Sequence, residues 1–214
     1  MKTMKKIFFL LVLALVLPIA AAAQTPKDII NDMEQALKKG ETEGLSMSMD
    51  IKVPVLGTTT STVYMLGEKV RTEMTVFKQK MVIFSDGKTE YTYDSSNNKI
   101  TITNVETNPE QTQSEAEENL GLFDDITDGY DVVLDKETAD AWHLACKKQK
   151  SNPDKDAPKR MDLVVSKIDN LPVSLSTTLS GVKVTMKDIK LGVREEDVSF
   201  DINDYPGVTI EDKR

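Results

Sequence analysis

His143 and Cys146 are the single histidine and single cysteine of the chain, and they sit three residues apart in Ala141-Trp142-His143-Leu144-Ala145-Cys146. A thiol beside an imidazole is the nucleophile–base pair of a cysteine hydrolase, and both groups ligate metals. The segment reads as a strand, however, and residues three apart in a strand face opposite sides of the sheet. The pair therefore reads as a half-buried histidine and a small buried cysteine. One His excludes a two-His zinc site, and one Cys excludes an intrachain disulfide or a Cys-rich metal site. Asp124, Asp125, Asp128 and Asp131 lack the spacing and terminal Glu of a calcium-binding EF-hand loop, so they read as solvated surface. Glu195, Glu196 and Asp197 are adjacent on a turn and do not oppose one another as a glycosidase pair must. No Gly-rich phosphate loop and no Ser nucleophile elbow occurs. The expectation is a protein with no catalytic residues, no metal and no cofactor.

Methionine is more informative. Ten occur, and Met47, Met49, Met65, Met74, Met81 and Met186 fall in segments that alternate apolar and polar. Met is flexible and polarizable, and suits a surface that accepts variable apolar ligands. Leu45, Met47, Met49, Ile51 and Val53 share one face of the first such segment, and Ser46, Ser48, Asp50 and Lys52 share the other. The expected ligand-contacting residues are Met47, Met49, Ile51, Met65, Val70, Met74, Met81 and Ile83.

The elements that must position these residues follow from local pattern. The chain has 214 residues, 39% hydrophobic and 29% charged, which is ordinary globular composition. Residues 1–23 read as a secretory signal peptide: Lys2, Lys5 and Lys6, an apolar run from Ile7 to Leu17, then Ala20 to Ala23. The run is shorter than the roughly 20 residues a spanning helix needs. No Cys lies at the cut for lipidation, so residues 24–214 are expected as a single domain without a membrane anchor. Thr25-Pro26-Lys27-Asp28 opens a helix with a capping box. Ile29, Ile30, Met33 and Leu37 give it one apolar face, and Gly40 is expected to stop it. Strands follow hairpin by hairpin, with Asp86-Gly87 a strong turn signal. The acidic stretch 106–119 interrupts them, and Ser114 to Phe123 reads as a second short helix with Leu120 and Phe123 apolar. Strands resume from Tyr130, and a last extended piece covers Phe200 to Ile210.

The resulting fold class is mainly β with few helices (α+β). A single large curved antiparallel sheet forms an unclosed β-barrel, covered by lid helices carrying Ile29, Ile30, Met33, Leu37, Leu120 and Phe123. The formal charge of −8 disfavours a nucleic-acid partner and an anionic lipid surface.

Val70-Arg71-Thr72-Glu73-Met74, followed by Met81 to Ser85, Asp86-Gly87-Lys88 and Tyr91-Thr92-Tyr93-Asp94, resembles the central hairpins of the outer-membrane lipoprotein carrier (LolA-like) family. Ala141 to Lys148, Arg160 to Lys167, Leu171-Pro172 and the strand from Val182 keep the family's order. Tyr205-Pro206-Gly207-Val208 resembles its C-terminal element. The resemblance implies an unclosed apolar half-barrel with a helical lid, which carries acyl chains of lipoproteins or related lipids through the periplasm. It also implies inner-membrane donor and outer-membrane acceptor proteins as partners. Leu66-Gly67-Glu68 stands where the family's carriers often have an Arg-Pro pair whose Arg helps latch the lid. Arg71 matches only the second Arg of the pattern. An envelope-sensing or protein-interaction module on the same fold is the alternative.

Overall fold

The computed structural model describes residues 24–76, 78–105 and 127–214; the expected signal peptide and the expected helix with Leu120 and Phe123 lie outside them. Helix α1 (Pro26–Lys38) begins as its residues dictate. Thr25 Oγ1 accepts from the Asp28 amide at 3.2 Å, and Asp28 Oδ2 accepts from the Thr25 amide at 3.0 Å. Gly40 does not end the helical path. It opens a further turn, α2 (Gly40–Glu43), and the stop comes at Gly44, with φ 75°. A Cβ at Gly44 would lie 2.7 Å from the Val193 Cβ, so only glycine meets both the conformation and the space.

Among the described residues twelve strands form one mixed sheet. They are β1 (Leu45–Val53), β2 (Gly57–Leu66), β3 (Lys69–Val76), β4 (Gln79–Ser85), β5 (Thr89–Asp94) and β6 (Lys99–Asn104), then β7 (Tyr130–Glu137), β8 (Ala141–Lys148), β9 (Arg160–Ser166), β10 (Pro172–Leu179), β11 (Val182–Leu191) and β12 (Thr209–Asp212). Their order is β12-β6-β5-β4-β3-β2-β1-β11-β10-β9-β8-β7. The ends β12 and β7 do not pair, so the sheet stays open. Every pairing is antiparallel except β12 on β6. The expected final extended piece is in fact broken: Ile202–Asp204 is a 3₁₀ turn, and extended pairing starts only at Thr209.

The two faces have separate cores. On the inner face, Ile29, Ile30, Met33, Ala36 and Leu37 of α1 pack on Leu45, Met47, Met65, Leu144, Met161, Leu163, Val165 and Leu175. On the outer face, a C-terminal strap of residues 193–208 crosses β2 to β6. Phe200 stacks on Tyr91 at 4.3 Å and meets Phe84 edge-on at 5.7 Å, and Tyr205 lies 4.6 Å from Tyr93. Val198, Val82 and Ile100 are buried with them. Phe84, Tyr91, Tyr93, Phe200 and Tyr205 thus gather outside the sheet, whereas Tyr130 and Trp142 pack at the β7–β8 side of the inner core.

Candidate ligand face

The strand register places all eight expected ligand residues on the inner face. Met65 opposes Leu45 and Val70, and Met47 opposes Val63, which in turn opposes Thr72 and through it Ile83. Met49 opposes Ser61, then Met74, then Met81 along one cross-strand row. On its other side Met49 opposes Met186, and Ile51 opposes Val184.

These residues divide into two groups. Met47 and Met65 are 2% and 1% exposed beneath α1, with Val70 packed beside them. An occupant would reach these three only by displacing the helix. Met49, Ile51, Met74, Met81 and Ile83 are half-buried and lie outside the core that α1 covers. They form an apolar patch toward the β1–β2 turn end of the sheet. Of the expected lid residues, Ile29, Ile30, Met33 and Leu37 are fixed in the core at one edge of this patch.

Val184 and Ser61 complete the patch, Met186 and Val63 border it where they pack against the α1 core, and none of the four was among the expected ligand residues. The signal for Met186 was present but shifted in phase. Val182, Val184 and Met186 alternate, and then Ile189 and Leu191 alternate in the opposite phase. The shift is a bulge: Ser46 opposes Lys190 while Ser48 opposes Lys187, and Asp188 has φ 56°. Because of the bulge, β11 keeps apolar side chains inside on both sides of the slip.

The patch turns polar at β5. Glu90, Thr92 and Asp94 take the inner positions there, and Thr92 Oγ1 donates to Glu90 Oε1 at 3.0 Å. The hydroxyl and amide of Ser96, with the Asn97 side chain, donate to Asp94 and hold its carboxyl below the usual range. The inner face can therefore take an amphiphile: chain against Met and aliphatic groups, polar end toward β5.

Arg71 takes no part in this face. Its neighbour Val70 points inward, and Arg71 points to the strap. Its guanidinium lies 5.5 Å from the Tyr64 ring centroid and 5.2 Å from that of Phe84, donates to the Asp197 carbonyl at 3.3 Å and pairs with Glu73. The Arg that matches the family pattern fastens the C-terminal strap rather than α1.

The residues first weighed for chemistry stay apart. His143 opposes Lys136 and Val164, whereas Cys146 opposes Val132 and Met161 on the other face. Glu195 pairs with Lys69, and Glu196 and Asp197 pair with Arg194. Among the described residues no cluster of three or more His, Cys, Asp or Glu could hold a metal, and no helix is long and apolar enough to cross a membrane.

The fold is shared with solved structures. LprF from Mycobacterium bovis matches with a TM-score of 0.52 at 11% identity, over 79% of this chain and 93% of that one. The lipoprotein LppX from Mycobacterium tuberculosis matches with a TM-score of 0.51 at 12% identity, over 81% and 99%. A LolA superfamily protein from Nitrosomonas europaea also matches, at 12% identity over 84% and 99%, with a TM-score of 0.32. The chain therefore shares its fold with LprF and LppX. No family model and no curated protein matches the sequence.

Proposed function

We propose that the chain is a non-enzymatic periplasmic carrier, which binds acyl chains of lipoproteins or related lipids against the inner face and moves them toward the outer membrane. One observation carries the reading: the row Met186–Met49–Ser61–Met74–Met81 spans five strands, half-buried, beside a helix-filled core. Each CH₂ moved from water onto such a surface contributes about 0.8 kcal/mol. The flexible Met side chains accept chains of differing shape. The polar inner positions of β5 suit the end of the ligand that stays hydrated. Export through a cleaved signal peptide of residues 1–23 would deliver the carrier to the envelope, and donor and acceptor proteins of the two membranes would load and unload it.

The test is native mass spectrometry of the chain from Gln24 onward, purified without detergent, followed by a thermal titration with palmitate. A co-purified acylated species, and a melting temperature that rises with ligand as mass action requires, support the carrier. A bare mass with no shift would favour an interaction module instead. That second reading has its own observation: β7 ends the sheet with Val133 and Leu134 exposed, an edge on which an extended peptide could add.

A further inference from the structure

We infer that the β1–β2 end of the sheet docks on an anionic lipid bilayer, with the turn Val53-Pro54-Val55-Leu56-Gly57 entering the headgroup region. The inference goes beyond acyl binding and does not depend on it. Val55 is fully exposed (104%) and Leu56 is 71% exposed, at the tip of a hairpin. Val55 has φ 71°. A β-branched residue in the left-handed region is strained, and glycine or asparagine normally takes such a position. Here the strain holds an apolar side chain out in water, where it adds nothing to the core. Strain kept at an exposed position points to a use outside folding.

The charge around the tip identifies the occupant. Lys52 and Lys183 oppose one another across β1 and β11, both exposed. Lys78 sits on the next turn of the same end, and Lys150, Lys155 and Lys159 lie on the β8–β9 loop, which leaves the sheet at that end too. None of these six forms an ion pair among the described residues. Among the described residues the carboxylates at this end are Asp94, Asp128, Asp131, Asp154 and Asp156. Asp94 is tied to Ser96 and Asn97, Asp131 accepts from Gln149, and Asp154 accepts from the Asp156 amide. The opposite end carries exposed Glu41, Glu43, Glu68, Asp140, Asp169 and Glu196 together with exposed Lys38, Lys39, Lys88 and Arg194, and its most exposed apolar residue among the described ones, Ile168, stands beside Asp169. The net charge of −8 is thus unevenly spread, with unpaired lysines of the described residues gathered around the β1–β2 tip.

Two apolar side chains on a convex tip are too few for a stable protein interface, which buries about 800 Å² on each partner. They suit interfacial insertion, where apolar tips and flanking lysines act together. The half-buried methionine row lies at the same end of the sheet, so docking here would bring the inner face to the membrane without a turn of the molecule.

The test is co-sedimentation of the chain from Gln24 onward with phosphatidylethanolamine vesicles containing phosphatidylglycerol, against phosphatidylcholine vesicles. Binding to the anionic vesicles is expected, weakened by high salt. Val55→Ser with Leu56→Ser should lower the partition coefficient about tenfold, the loss of roughly one buried aliphatic group. Lys52→Glu with Lys183→Glu should lower it on anionic vesicles only. Val55→Gly is the decisive variant, because it relieves the backbone: its melting temperature should rise while vesicle binding falls. Absence of binding to anionic vesicles, equal binding to both kinds, or undiminished binding by the serine variant would overturn the inference. So would recovery of the tip's partner as an acidic protein while vesicles are ignored. Palmitate titration of the same variants reads acyl binding separately, so either idea can fail without the other.

Discussion

The Gly44 Cα and the Val193 side chain meet where the helical path turns into β1. A Cβ on Gly44 would sit 2.7 Å from the Val193 Cβ and 2.8 Å from the Met65 carbonyl oxygen. The Gly192 amide also donates to the Gly44 carbonyl at 3.2 Å, so this junction ties the start of β1 to the end of β11. Gly44→Ala should cost about 2–4 kcal/mol, combining the left-handed penalty with overpacking. Gly40→Ala keeps an ordinary helical conformation and should cost much less. Urea melts of the two variants check this, and similar midpoints would show that Gly44 is not the stop.

The ligand face makes a prediction that distinguishes inside from outside. Met49→Asp puts a charge in the apolar row, whereas Ser48→Asp puts one on the outer face, where Ser48 only meets Thr62 through their hydroxyls at 3.3 Å. Met49→Asp should weaken palmitate binding about tenfold or more, since an unpaired charge resists desolvation by an acyl chain. Ser48→Asp should leave affinity near that of the parent. Fluorescence displacement of a fatty-acid probe measures both, and equal losses would remove the inner face as the site.

Arg71 is predicted to matter for the strap and not for the ligand. Arg71→Ala removes contacts with two aromatic rings and the bond to the Asp197 carbonyl, a loss of about 2 kcal/mol. Amide exchange over residues 193–208 should accelerate most, ahead of exchange in α1. Exchange that accelerates first in α1 would show that Arg71 acts on the helix rather than on the strap.

Much of the sheet was legible because its signals are local. The alternation of Leu45 to Val53 and the Asp86-Gly87 turn need no distant partner to be read. Asp86 shows why: its carboxylate accepts the Lys88 and Thr89 amides at 2.9 and 2.7 Å and builds the turn from within. The features that escaped are those set by contacts far along the chain. Gly40 and Gly44 look alike as helix stops, and only the approach of Val193 selects Gly44. Phe200 and Tyr205 suggested a plain extended ending, whereas their partners Tyr91 and Tyr93 are more than a hundred residues earlier. The inner-face role of Met186 was masked by the one-residue slip at Asp188. The alternation also placed Met47 and Met49 on one face without telling that α1 covers the first and stops short of the second.

The pair Asp50 and Lys187 sets a pH dependence. Lys187 Nζ lies 2.5 Å from Asp50 Oδ2, and Thr60 Oγ1 donates to Oδ1 at 2.7 Å. These bonds hold the Asp50 carboxyl below its usual range, the lysine contributing most, and raise the Lys187 ammonium above its own. For Asp50 the stabilisation is present above the unfolded carboxyl pKa and is lost as pH falls through the lowered folded value. For Lys187 it is present below the unfolded value and is lost as pH rises through the raised one. The pair therefore stabilises across the neutral range and fails at both extremes. Asp50→Asn should lower the melting temperature by a few degrees at pH 7, and the difference from the parent should shrink as pH falls below the usual carboxylate range. A difference that stays constant into acid would show that the bond is not charge-assisted.

Cys146 reports on the core under α1. It is 1% exposed and packs with Met161, Leu144 and the helix. Burial, and secondarily the charge of Asp162, pushes its thiol up to about 11. The thiolate is the reactive form, so the native protein should scarcely react with a thiol reagent at pH 8. Reaction then requires opening, and its rate reports how often the helix leaves the inner face. If α1 is a static part of the core, labelling should keep pace with global unfolding across a urea series. If α1 swings away to admit an occupant, labelling should run faster than unfolding at low urea, and palmitate bound to the neighbouring methionine row should change that rate without changing the urea slope of the global phase. Ala36→Gly, which weakens α1 by about 1 kcal/mol at a buried helical position, should then accelerate labelling before it measurably shifts the melt of the sheet.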